Sequence, residues 1–166
     1  TASSASSATF TVTDSADPIL SSSSPADEAT AIAVDSNIVL TFNEAVDADS
    51  GNIIIVKSSD GSTVEAIDVT GSQVSGSGST EITINPSVTL DGQTAYHLTI
   101  DETAFDDSSS NSYAGISDAT TINFTTADGT APTIIFNPAD GDTGVGRDSN
   151  INIEFNEAVV NTNTSE

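Results

Sequence analysis

The sequence predicts an all-β chain: a sandwich of about seven short strands, recurring in tandem. Three observations carry that expectation. Apolar and polar residues alternate in short runs, which is the period of a strand with one face buried. Gly, Asp, Ser and Pro separate the runs, and no window shows a sustained helical period. A long stretch of the chain also repeats: residues 25–46 return as residues 138–159, with 13 of 22 positions identical.

The elements follow in order along the complete repeat. A first strand is expected near residues 19–23. In the next, Ile38, Leu40 and Phe42 alternate with Val39, Thr41 and Asn43, and in the second copy Ile151, Ile153 and Phe155 alternate with Asn152, Glu154 and Asn156. Further strands are expected at 53–56, 63–69, 81–85, 94–100 and 121–125, with turns at Asp60-Gly61 and Asp91-Gly92. The run 71–79 has the glycines of a phosphate-cradling loop but neither its Lys nor its helix, so it is read as a flexible strand connection. Tyr96 opens a strand just after the Asp91-Gly92 turn. That placement predicts a tyrosine corner, in which the hydroxyl bonds back to the preceding backbone of a Greek-key sandwich.

The repeat also sets the expected domain organisation. Phe10, Thr11, Asp14 and Pro18 correspond to Phe124, Thr125, Asp128 and Pro132, each 114 residues later. Residues 1–14 then read as the last strand and linker of a preceding repeat, 15–127 as one complete repeat, and 128–166 as the opening strands of a third. Such a chain is expected to be a fragment of a longer tandem array. An alternative is that copies complete one another by strand exchange. No leader is visible after Thr1, and no apolar run reaches the roughly 18 residues of a membrane span.

Composition narrows the function. The formal net charge is −23, from 25 acidic and 2 basic residues, so Lys57 and Arg147 offer no basic patch for nucleic acid. There is no Cys, hence no disulfide or thiolate site. The single His97 is expected on an outer strand face. With no Trp to line a sugar cleft, paired acids such as Asp106 and Asp107 do not suggest a glycosidase, and no enzyme activity is expected. Ser and Thr together number 49, which fits an exterior location. Asn123 and Asn163 satisfy the glycosylation pattern, Asn123 being expected to face outward.

Ala131-Pro132, Asn137-Pro138-Ala-Asp-Gly141, Asp148-Ser-Asn150 and Phe155-Asn-Glu-Ala-Val159 together resemble the bacterial Ig-like domains found in tandem in surface-layer and adhesin proteins. The earlier copy varies the pattern, with Asp17-Pro18 and Ser24-Pro25-Ala-Asp-Glu28. The resemblance implies an Ig-like Greek-key β-sandwich at a bacterial cell surface, with neighbouring repeats as its first partners. It fits a structural spacer in an adhesin, surface layer or fibre. A module binding glycan or protein is the alternative.

Ig-like topology would gather acids at the pole where the linker enters. Glu44, Asp47 and Asp49 follow one strand; Asp101, Glu102, Asp106, Asp107 and Asn111 lie between two others; Asp14 and Asp17 belong to the linker. Carboxylates so crowded require a counter-charge, and calcium takes about 6–8 oxygen ligands in flexible geometry. The expected ligands are Asp14, Asp17, Glu44, Asp47, Glu102, Asp106 and Asp107, with Asp128 and Glu157 at equivalent places in the next copy. Calcium at each joint would stiffen the array. Solvated acidic loops without an ion are the competing reading.

Overall fold

A computed structural model gives the structure of the protein and describes residues 12–160. Most of the strand expected before residue 14, and Asn163, lie outside the described residues. The chain divides into two compact units, Thr1–Gly129 and Thr130–Glu166. The described residues contain strands and turns but no helix.

The first unit is a two-sheet sandwich. One sheet has the order β1 (Leu20–Ser24), β3 (Ile38–Ala48), β7 (Ser79–Ile84), β6 (Val74–Ser75), and β9 (Phe105–Asp106) pairs with the far end of β3. The other runs β2 (Ala29–Ile32), β10 (Asn123–Thr126), β8 (Ala95–Ile100), β4 (Asn52–Lys57), β5 (Thr63–Asp68). All pairs are antiparallel except β10 with β2. Alternation along the strands puts one face of each sheet inward. Ile38, Leu40, Ile53, Ile55, Ile82, Ile84, Leu98 and Phe124 make the buried layer between them.

Four features depart from the sequence reading. The first strand is split: β1 stays with β3, and after a short turn β2 crosses to the second sheet beside β10. β2 reads Ala-Thr-Ala-Ile with no fully buried residue, so no alternation marked it. β3 does not end at Glu44 but continues to Ala48, because β9 supplies a partner through Asp47↔Asp106 and Ala48↔Phe105. Run 71–79 is not a loose connection, since β6 pairs with β7 across Gly76. Asn123 is half-buried, and its Nδ2 donates to Asp27 Oδ1 at 2.7 Å, so its amide is engaged rather than presented outward.

Tyr96 is buried, and its Oη accepts the backbone N–H of Asp91 at 2.9 Å, the bond expected of a tyrosine corner. Thr126 closes the same turn, donating through Oγ1 to Asp91 O at 2.6 Å and accepting the N–H of Thr94 at 3.0 Å. His97 lies half-buried on the outer face of β8, with Nδ1 3.1 Å from Ser58 Oγ.

The second unit is a hairpin of β11 (Ile134–Asn137) and β12 (Asn152–Phe155). Its pairing Ile134↔Phe155 reproduces Leu20↔Phe42 in the first unit. The repeated words thus fold to the same register.

Candidate metal centre

The segment between β8 and β10, expected to be an acidic loop, is anchored by apolar groups. Ala104, Phe105, Tyr113 and Ile116 are buried. Phe105 and Tyr113 pack on Phe42 of β3, with ring centroids 5.4 and 5.2 Å away, the Tyr113 contact edge-on. This aromatic group fixes the excursion to the end of β3 and so holds its acids in place.

Asp107 is the best-positioned of them. It is buried, its Oδ1 accepts the N–H groups of Ser109 and Asn111, both at 2.8 Å, and its Oδ2 accepts Asn111 Nδ2 at 2.8 Å. The Asn111 backbone and side chain, aided by Ser109, hold its carboxyl below the usual carboxylate range. Asn111 Nδ2 also lies 3.4 Å from the backbone carbonyl of Asp14, joining the linker to this turn.

Asp14, Glu44 and Asp107 each offer a carboxylate oxygen, and the three oxygens lie within 4.8 Å of one another. They come from the linker, from β3, and from the turn after β9. Asp106, beside Asp107 in the chain, has an Oδ1 that solvent does not reach and no hydrogen-bond donor satisfies.

The other expected ligands fall elsewhere. Asp47 is the backbone partner of Asp106, and its Oδ1 takes a bond from Ser77 Oγ at 3.3 Å. Asp17 and Glu102 line a shallow hollow with Thr103, Ser112 and Tyr113. Asp101, an acid of the same pole that was not an expected ligand, accepts the N–H of Asn52 at 2.8 Å and so fixes the turn before β4. Asp128 Oδ2 accepts Gln93 Nε2 at 2.6 Å, and Glu157 lies just after β12 in the second unit.

Sequence reasoning missed the part played by Asn43. Its Oδ1 accepts the N–H of Ile19 at 2.6 Å, and its Nδ2 lies 3.3 Å from Glu44 Oε1. The signal was present, because Asn43 recurs as Asn156 inside the identical pentapeptide.

The family model described as bacterial Ig-like domain matches residues 14–126. Among solved structures, the crystal structure of CopC from Methylosinus trichosporium OB3b aligns with a TM-score of 0.48 and 17% identity, over 69% of this chain and 97% of that one. The crystal structure of the S-layer protein rSbsC(31-844) aligns with a TM-score of 0.43 and 21% identity, over 74% of this chain and 15% of that one. No curated protein matches.

Proposed function

The chain belongs to the bacterial Ig-like domain family, and on that premise we propose that it is a structural spacer of an extracellular bacterial surface protein, stiffened by calcium where the linker enters the repeat. The observation that carries this reading is the meeting of Asp14, Glu44 and Asp107 from three separate elements.

The donor set fits a hard cation. All three groups are carboxylates, and calcium is held by oxygen ligands. The ion pair among the described residues, Lys57 with Asp91, involves none of the three acids. Asp106, next in the chain to Asp107, keeps a buried Oδ1 without a hydrogen-bond donor, but it is not one of the three clustered acids. Asp14, Glu44 and Asp107 would hold the ion, which supplies charge neutralisation and a cross-link. Asn111 presents Asp107, and β3 presents Glu44. Tying Asp14 to the sandwich removes freedom from the linker, which is how a string of domains becomes a rod. In this reading the protein binds and bears load; it performs no chemistry, and His97 is a surface histidine.

Calcium titration followed by small-angle scattering tests the reading. Calcium should increase the maximum dimension of the chain, chelator should reverse the change, and Glu44→Gln with Asp107→Asn should abolish it. Dimensions that stay constant through millimolar calcium would sink the stiffening role.

A further inference from the structure

We propose that Asn43 and its counterpart Asn156 are clamps that fix the first residue after each linker proline to the adjoining strand. The argument rests on one arrangement seen in both units. In the first, Ile19 donates its N–H to Asn43 Oδ1 at 2.6 Å, and Asn43 returns its own N–H to Ile19 O at 3.0 Å. In the second, Thr133 donates to Asn156 Oδ1 at 2.6 Å, and Asn156 returns its N–H to Thr133 O at 3.2 Å. Two stretches of chain that fold as separate units thus make the same reciprocal pair of bonds.

The chemistry explains why Asn occupies the position. The ladder between β1 and β3 shifts register between Leu20 and Ser22 while that between β11 and β12 runs without a shift, so the Asn bond does not depend on the bulge. In both units it lies one residue beyond the first ladder pair, Leu20↔Phe42 and Ile134↔Phe155. The Asn side chain is a short amide, and its carbonyl continues the ladder by one bond. Ile19 follows Pro18 and Thr133 follows Pro132, and each proline already fixes its own φ. Ring and clamp in succession leave the chain few directions in which to approach the strand.

In the first unit the clamp has a second consequence, which rests on the calcium reading above. Asn43 Nδ2 lies 3.3 Å from Glu44 Oε1, so the residue that holds the linker also orients one acid of the trio. Asn43 is therefore a positioning residue: it brings the Asp14 segment and Glu44 together without being a ligand itself.

Amide exchange on the full chain, with and without calcium, tests the clamp. Without calcium, Asn43→Leu should speed exchange at Ile19 by about tenfold and leave Leu40 and Ile82 unchanged, since one lost hydrogen bond is worth up to roughly that factor. Asn43→Asp keeps the acceptor and should keep the protection. Asn156→Leu should release Thr133 and not Ile19. Unchanged exchange at Ile19 in Asn43→Leu would overturn the clamp, as would an equal loss at the core amides. With calcium, Asn43→Leu should weaken apparent affinity several-fold, as expected from one orienting bond. Unchanged affinity with Ile19 released would overturn the positioning role and leave calcium binding standing. A wild-type chain that binds no calcium would remove the stiffening reading and with it the positioning role, while the exchange data still decide the clamp.

Discussion

At the scale of single residues, hydrogen-bonded side chains hold the turns that the strands alone would leave loose. Tyr96 carries the clearest case: its ring is in the core and its hydroxyl receives Asp91 N–H. Tyr96→Phe keeps the ring and removes that acceptor, so unfolding free energy should fall by about 1 kcal/mol, measurable by denaturant titration. Asp118 shows the same principle with a charge. It accepts the N–H and hydroxyl groups of both Thr120 and Thr121, at 2.7–2.9 Å, and these bonds, Thr120 foremost, bring its carboxyl down to about 2. Its ordinary value is 3.8, so the folded state gains from its charge above that pH and loses the gain as pH falls through about 2. Asp118→Ala should lower the melting temperature at pH 7, and the gap to wild type should close between about pH 4 and 2. Tyr96 was legible in the sequence because a corner has a fixed spacing from its turn. Asp118 was not, because Asp followed by Thr is ordinary loop composition and only the folded turn aims four donors at one group.

Among elements, alternation identified the strands with a buried face and missed those without one. Ile38, Leu40 and Phe42 announced β3, and Ile53 with Ile55 announced β4, since each run has a core face. β2 reads Ala-Thr-Ala-Ile and has no residue fully in the core, while β6 and β9 are two residues long. Such pieces are strands because neighbours offer them bonds, which no local pattern records. The hairpin from β6 to β7 gives this a testable form. Gly76 sits at φ 99°, and a Cβ built there would fall 2.1 Å from the carbonyl oxygen of Glu81. At a compatible position Gly→Ala stabilises by up to about 1 kcal/mol, but at this φ and contact Gly76→Ala should destabilise by more than that, with loss of β6 pairing visible as faster exchange at Ser75 and Thr83. The acidic pole was legible in part for the same reason. Chain topology was enough to place the linker near the ends of two strands. The selection of Asp14, Glu44 and Asp107 from nine candidates depended on the Phe42, Phe105 and Tyr113 packing, a long-range contact without a local signature.

For the whole molecule, a net charge of −23 sets two separable effects of cations against each other. Any salt screens the repulsion among exposed carboxylates, with a Debye length of about 8 Å at physiological ionic strength. A cation that binds the folded state at one place adds a second term, which grows with the logarithm of its concentration and reaches about 2.7 kcal/mol at a hundredfold excess over the dissociation constant. Sodium chloride should therefore raise the melting temperature gradually and to the same extent in wild type, Glu44→Gln and Asp107→Asn, apart from the small shift each lost charge makes. Calcium at matched ionic strength should raise it further in wild type alone. Magnesium should do less than calcium, since it demands tight octahedral geometry and gives up its waters reluctantly. If calcium and sodium curves coincide at equal ionic strength, the acids at the linker pole act only as surface charge. If they separate in wild type and merge in both variants, the stabilising cation is held where linker, β3 and the turn after β9 meet.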